Sequence, residues 1–476
     1  MLARTRRHLG WSLLALASLL AGCKLGPEFK PPAEAAPTSW KAAQPAEEAR
    51  ALPERWWTLF ADPALDQLVE RALLHNQELD AGLARVEQAR ALAGLARAAQ
   101  SPTLSIDPSL QRQQLSGNRQ APPGTNHASY TSTSIELPLD VAYEVDLWGR
   151  LRRVREAADA AARASAYDYA TLSLAISSEV ARTYFAAGSA RHEEEILRQG
   201  VELRQRALAL VEGRARAGIG DELDSSRARA ELARVEAEQH ALARARAGLE
   251  NALAVLCGEA PADLAPVANS EPATLPSVPA GLPSELLRKR PDLAAALERL
   301  HEASARIGVS EAEAYPRLSL TGSLGFVSTQ FAKLFDAASR AWTLGAGLSA
   351  PIYEGGASDE RARAARAFYE ERAADCRATL LVAFREVEDA LSALAELGAE
   401  SRFQQQAQTA AQTTLALADA RYRQGLVGYL DVVDAARVEL DSRRATVQIE
   451  RLRAESTVLL IQALGGGWSA EPQSAK

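Results

Sequence analysis

The sequence predicts an α+β chain made of two copies of one helix–strand–strand–helix unit. Three observations predict it. Proline is absent from 139–260 and from 352–471, although the 476 residues contain 22 prolines. Four short segments alternate apolar and polar residues instead. The two halves also repeat each other's motifs at an offset of 207–214 positions.

The chain begins with Arg4, Arg6 and Arg7, then the apolar stretch Trp11–Leu20, then Ala21-Gly22-Cys23. A basic start, a short apolar run and small residues at a cleavage site are the pattern of a secretory signal peptide, too short for a comfortable membrane span. Leu20-Ala21-Gly22-Cys23 resembles a bacterial lipobox, which makes Cys23 the expected site of fatty (palmitate-type) acylation. Several acyl chains on one residue anchor stably, each buried CH₂ contributing about 0.8 kcal/mol. Lys24 stands where an aspartate would signal inner-membrane retention, so the resemblance implies the outer membrane. Loss of residues 1–22 lowers the formal charge from −7 to −10.

The proline-free stretches are rich in Ala, Leu, Arg and Glu, all good helix formers. In the first, Leu151, Val154, Ala158, Ala162, Ser165, Tyr169, Leu172 and Ile176 recur at spacings of three and four. In the second, Ala373, Cys376, Leu380, Ala383, Val387, Ala390, Leu394 and Leu397 do the same. Such sustained spacing predicts coiled-coil-like helices, and its alanines allow close approach. A helix over 150–213 would be roughly 95 Å long. In 135–147 the odd positions are Ile135, Leu137, Leu139, Val141, Tyr143, Val145 and Leu147, against Glu136, Asp140, Glu144 and Asp146. Leu318, Leu320, Leu324 and Phe326 alternate likewise with Arg317, Ser319, Thr321 and Ser323. Segments 103–111 and 342–352 repeat the pattern more weakly. Period two over about ten residues is a half-buried strand, and also a transmembrane barrel strand.

The repeat pairs Pro102-Thr-Leu-Ser105 with Pro316-Arg-Leu-Ser319, and Arg214-Ala-Arg-Ala-Gly218 with Arg421-Tyr-Arg-Gln-Gly425. It also pairs Ala228-Arg-Ala-Glu-Leu232 with Ala436-Arg-Val-Glu-Leu440. The expected organisation is a signal peptide (1–22), a lipidated extended segment (23–63), a first repeat (64–258), a linker (259–283), a second repeat (284–467) and a tail (468–476). The first repeat would hold strands at 103–113 and 133–147, a long helix at 150–213 and a return helix at 222–257. The second would hold strands at 316–327 and 340–353, a long helix at 357–424 and a return helix at 429–464. Gly465-Gly466-Gly467 reads as a flexible exit after the last helix. Four strands cannot close a membrane barrel, and an open edge in lipid is prohibitively costly, so spanning strands would require an oligomer.

Several functions are excluded or unsupported. The acidic charge argues against nucleic-acid binding. Six scattered histidines make no metal-ligand pattern with the cysteines, and no phosphate loop or nucleophile elbow is present. The reading is therefore not an enzyme and needs no cofactor. A disulfide between Cys257 and Cys376 is possible in an oxidising compartment, but nothing around either cysteine supports it, and Cys376 falls on the apolar stripe, where packing is expected.

The lipobox, the duplicated plan, the Arg421-Tyr-Arg-x-Gly425 turn and Tyr429-Leu-Asp-Val-Val-Asp434 resemble the TolC-like outer membrane factors. Trp56-Trp57, Asp62-Pro63, Asp146-Leu-Trp-Gly-Arg150 and Arg288-x-Arg290-Pro291-Asp292 fit the same family. The nearest likeness is the lipoprotein branch serving resistance-nodulation-division (RND) efflux pumps. That resemblance implies a homotrimer with a 12-stranded outer-membrane β-barrel, continued into the periplasm by an α-barrel of long helices. It implies a passive conduit for drugs or small solutes, working with a periplasmic adaptor (membrane fusion) protein and an inner-membrane RND-type transporter. The same fold would also suit a type I protein secretion or metal-efflux duct. By the same resemblance the hairpin tips near 214–224 and 421–431 carry a periplasmic gate. Tyr422 matches the gate tyrosine, Leu430 an apolar constriction, and Asp431 and Asp434 an acidic ring, which would favour cations. Asp224 is the first-repeat counterpart of Asp431. Val427 departs from relatives that have a gate-locking arginine there. A simpler role for the three aspartates is capping or opening the returning helices.

Overall fold

The computed structural model describes residues 24–32, 37–41, 52–118, 129–264, 275–281, 283 and 289–469. The signal-peptide and lipidation readings on 1–23 lie outside them. In chain order the elements are α1 (Pro63–His75), α2 (Gln77–Ala98), β1 (Thr103–Ile106), β2 (Ser109–Leu115), β3 (Tyr130–Val145), α3 (Arg150–Arg216), α4 (Glu222–Leu256), α5 (Pro291–Glu313), β4 (Arg317–Ser328), β5 (Arg340–Ser349), α6 (Ala357–Arg423) and α7 (Tyr429–Ala463). The chain divides into two compact units. One takes residues 1–32, 87–165 and 296–376; the other takes 33–86, 166–295 and 377–476.

The first unit holds the sheet, all antiparallel, in the order β1–β3–β4–β5, with β2 also on β3. Strands β1 and β2 are two halves of one strand, since both pair with β3 in the same register (Thr103 to Ala142, Ser109 to Glu136). The break falls at Asp107-Pro108, across from Leu137-Pro138. Two prolines there remove two ladder donors from adjacent rungs, which interrupts what periodicity reads as one strand. Strand β5 stops at Ser349, two residues short of Pro351, for the same reason.

Register shows what alternation alone leaves open. Ile106, Leu139, Leu324 and Trp342 form one cross-strand row, and Leu104, Val141, Gly322 and Leu344 form another. Tyr143 lies beside Leu320, and Val145 beside Leu318, which in turn lies beside Leu348. All these side chains share one face. The opposite face carries Ser105, Glu136, Asp140, Glu144, Ser319, Thr321, Ser323 and Thr343. In this chain the apolar face stands open: Trp342, Leu344 and Leu348 are about three-quarters exposed (72%, 79% and 68%).

Sheet passes to helix at Asp146. Its carboxylate accepts from the backbone N–H of Leu151 (3.1 Å) and Arg152 (2.9 Å), satisfying orphan donors at the start of α3. Arg150 grips Glu144 through both of its oxygens, and Trp148 Nε1 donates to the Pro316 carbonyl at 2.8 Å.

The second unit has its own core. Trp56, Phe60, Leu65, Val69, Phe185, Leu253, Leu391, Val458 and Ile461 are all buried in one cluster. Asp62 caps α1 through the amides of Ala64 and Leu65 and accepts from the Tyr184 hydroxyl at 2.7 Å. The duplication survives as matched contacts. Asn76 Nδ2 donates to the Leu256 carbonyl (2.9 Å), and Arg290 Nη1 donates to the Ala463 carbonyl (3.0 Å). Each bond ties the start of a repeat to the last turn of its return helix. The Gly465–Gly467 segment corrects the expectation of a flexible exit. Its three glycines all have positive φ, and added Cβ atoms would meet Lys289, Leu174 and the Pro53 carbonyl within 2.2 Å. Cys257 and Cys376 are buried and not joined in a disulfide. Burial pushes the Cys257 thiol up to about 11, which removes the reactive thiolate at neutral pH. No described helix is long and apolar enough to cross a membrane.

Candidate functional site

The two hairpin tips in the second unit are built alike. Helix α3 ends with Gly218 N–H bonded to Ala215 and Ile219 N–H bonded to Arg214; α6 ends with Gly425 bonded to Tyr422 and Leu426 to Arg421. Both are Schellman closures with the glycine left-handed, at φ +75° and +77°. Each then exposes two apolar side chains at matching positions: Ile219 (77%) and Leu223 (51%), Leu426 (69%) and Leu430 (45%).

Between the hairpins lies a small core of Val211, Ala228, Tyr422, Tyr429, Val432 and Val433. Tyr422 is buried there. Its ring lies 5.6 Å from that of Tyr429 and 4.6 Å from the Arg214 guanidinium, a cation–π contact across the repeats. Arg214 also donates to the Arg423 carbonyl at 3.4 Å. Burial raises the Tyr429 hydroxyl, and the neighbouring Tyr422 adds to it.

The aspartates divide by role. Asp431 accepts from the Gly428 N–H at 3.0 Å, which caps the start of α7 from one side only, since Gly428 has no side chain to return the bond. Asp431 and Asp434 are both exposed and line one open groove with Arg421 and Val427. Asp224 sits on the other tip, 3.6 Å from Arg227 of its own helix, and the cap of α4 is Asp221. Tyr422, Asp431 and Asp434 thus share one hairpin; Asp224 belongs to its partner. Cys23 lies outside the described residues.

One cluster escaped the sequence reading. Two turns above the tip, Glu231 is 3% exposed and is contacted twice by each of three arginines. Arg234 of the same helix reaches it at 2.8 Å, Arg204 of α3 at 3.3 Å, and Arg437 of α7 at 2.7 and 2.8 Å. Burial by itself would raise this carboxyl; hydrogen bonds from Arg234 and Arg437 and the charges of Arg234 and Arg204 outweigh it and hold it at about 2. The signal was present as a glutamate and an arginine inside the matched Ala-Arg-x-Glu-Leu motifs, but spacing cannot say that residues 231 and 437 meet. Because the folded value lies below the unfolded 4.5, this carboxylate stabilises fully above pH 4.5 and loses that contribution as pH falls toward 2. The melting-temperature difference between wild type and Glu231→Gln should stay constant from pH 8 to 5 and shrink below about 4.5. A difference that shrinks already between pH 7 and 5 would rule this out.

Residues 68–259 and 282–466 match the family model for outer membrane efflux proteins. The chain is 35% identical over 473 residues to the pyoverdine export outer membrane protein OpmQ of Pseudomonas putida, covering 98% of each. It is 32% identical to the outer membrane protein OprJ of Pseudomonas aeruginosa, covering 96% of each. Among solved structures, the outer-membrane channel OprN superposes with a TM-score of 0.87 at 32% identity, over 94% of this chain and 100% of that one.

Proposed function

The chain belongs to the outer membrane efflux protein family, and from that premise we propose that three copies close one twelve-stranded barrel gated at the hairpin tips. It is an outer-membrane channel component of an efflux system and not an enzyme. The single observation that carries the oligomeric barrel is the sheet: one face apolar through its central rows, and outer edges on β1/β2 and β5 with no further strand beside them among the described residues. Lipid tolerates the face but not the edges, so copies must pair edge to edge. Three sheets make twelve strands, within the bacterial range.

The four exposed apolar residues at the tips suit docking of a periplasmic adaptor, and through it an RND-type transporter supplies the energy. Asp431 and Asp434, tripled, place six carboxylates around the entrance, with Tyr422 and Leu430 beside them and Asp224 on the facing hairpin. Cys23 carries the lipid anchor, and small solutes are the cargo. Purified from membranes, the protein should run at three times the mass of one mature chain, the 51.0 kDa of the full sequence less residues 1–22. Its intact mass should carry acyl groups that Cys23→Ser removes. In planar bilayers wild type should conduct weakly, and Asp431→Ala/Asp434→Ala several-fold more. A channel silent in both forms refutes the conduit.

A further inference from the structure

The sheet has a direction. Its junctions with helices lie at one end, and the two turns that join strands, β2 to β3 and β4 to β5, lie at the other. By the barrel reading given above the helices stand in the periplasm, so these turns reach the outer leaflet of the membrane. Along β3 the apolar face runs from Val145 to Ile135, about 34 Å at 3.4 Å per residue. Tilted by about 40°, that is a height of about 26 Å, close to the apolar band of an outer-membrane barrel.

One charge interrupts that band. Phe326 lies between Leu137 and Arg340 in a single cross-strand row, and Leu110 and Ile135 stand one row further out. Arg340 therefore presents a cation on the lipid side, just below the top of the band. A charge at that level needs a counter-ion, and Arg340 has no ion-pair partner among the described residues.

The β4–β5 turn brings a second cation to the same place. Phe335 packs edge-on against Phe326 at 5.5 Å, which folds the turn onto the apolar face. The turn is well held: Leu334 is buried, and the Ser339 hydroxyl donates to the Lys333 carbonyl at 2.7 Å, fixing residue 333 beside the start of β5. Ser328 Oγ donates to the Gln330 carbonyl at 2.8 Å and accepts from the Gln330 N–H at 3.2 Å. Lys333 is exposed, and Asp336, the one carboxylate in 329–339, forms no described ion pair with it or with Arg340. Phe331 and Phe335, in the same turn, are 75% and 67% exposed.

We propose that Arg340 and Lys333 bind a phosphate group of the outer-leaflet glycolipid, lipid A, with Phe331 and Phe335 packed on its sugars and upper acyl chains. This rests on the barrel reading and adds to it a specific lipid partner. A guanidinium meets phosphate through two parallel N–H···O bonds, and an ammonium adds a point charge. Aromatic side chains gather at head-group level, and basic residues near a membrane surface attract anionic lipid. The side of the membrane selects the glycolipid, because the turns reach the leaflet whose phosphates are carried on sugars.

The test is lipid binding by the purified full-length protein in detergent, read by native mass spectrometry, with conductance in planar bilayers alongside. Diphosphoryl lipid A should bind wild type at one per chain, and lipid A stripped of both phosphates about tenfold more weakly. Arg340→Gln/Lys333→Gln should lose about tenfold in affinity for the diphosphoryl form. If that variant folds poorly, Lys333→Gln in the exposed turn takes its place and should lose several-fold. Arg317→Gln removes a cation from the polar face, at the helical end of the sheet, and should bind like wild type. Equal binding of phosphate-free lipid A overturns the proposal, as does wild-type affinity in the Arg340/Lys333 variants. Arg317→Gln weakening binding as far as they do also overturns it, since charge would then act diffusely. Phosphatidylglycerol bound as tightly as lipid A overturns the glycolipid as partner. A conducting trimer with no affinity for lipid A sinks the site and leaves the channel standing. A chain that neither trimerises nor conducts overturns the barrel, and the site with it.

Discussion

Gly258→Ala is expected to destabilise the second unit by about 3 kcal/mol or more, lowering the thermal midpoint followed by circular dichroism. Gly258 ends α4 at φ +73°, and a Cβ there would sit 2.0 Å from the His75 carbonyl oxygen and 2.7 Å from its carbon. A left-handed backbone costs a residue with a side chain about 1–2 kcal/mol. The clash adds to that, because backbone, not a flexible side chain, would have to retreat, and His75 adjoins the Asn76–Leu256 tie. Gly465 is the same position in the second repeat, at φ +94° and 1.9 Å from the Lys289 carbonyl, so Gly465→Ala should cost as much. Gly425→Ala is the control: it shares the conformation at φ +77°, yet nothing lies within 4 Å. If Gly258→Ala costs no more than Gly425→Ala, the close approach does not matter and the reasoning fails.

Arg153→Met should release the N-terminal segment of the first unit at a cost of about 3–5 kcal/mol. The guanidinium is fully buried. It donates to the carbonyls of Leu25 (2.8 Å), Gly26 (2.9 Å) and Pro27 (2.9 Å) and to Glu156 (2.9 Å). Methionine fills similar space but leaves three carbonyls without a donor. Phe29 stacking on His301 at 4.5 Å and Lys24 on Glu156 at 3.1 Å cannot hold the segment alone. Limited proteolysis reads the result: cleavage by trypsin after Lys24 and by chymotrypsin after Phe29 should accelerate many-fold, with later sites little changed. Arg153→Lys should not rescue, since one ammonium cannot reach carbonyls on three successive residues. Unchanged cleavage at Lys24 and Phe29 would show that the strap is held by something else.

Much of the architecture is legible in the sequence because its causes are local. Alternation at 135–147 and 317–326 reports a sheet with unlike faces, and each residue's side follows from the period of two. Proline-free runs of Ala, Leu, Arg and Glu report long helices, since propensity and small-residue stripes act within a few turns. The repeat offset likewise reveals that Gly218 and Gly425 end equivalent helices. Local chemistry misleads where a remote partner decides. Gly465–Gly467 reads as a loose end, yet Lys289, Leu174 and Pro53 enclose it. Asp107-Pro108 is unremarkable until Pro138 is seen across from it.

By itself, then, the sequence determined the α+β duplicated plan, the helix and strand periods, the turn glycines and the family to which the chain belongs. Only the tertiary structure decided that β3 lies beside β4, 173 to 193 positions on, aligning their apolar rows on one face of the sheet. Only it buried Tyr422 against Arg214, set Arg153 over Leu25–Pro27, and brought Arg437 to Glu231. The physical reason is the range of the forces involved. Backbone propensity and hydrophobic period act between near neighbours in the chain, whereas an ion pair or a close glycine contact depends on distance in space, which spacing in sequence does not encode.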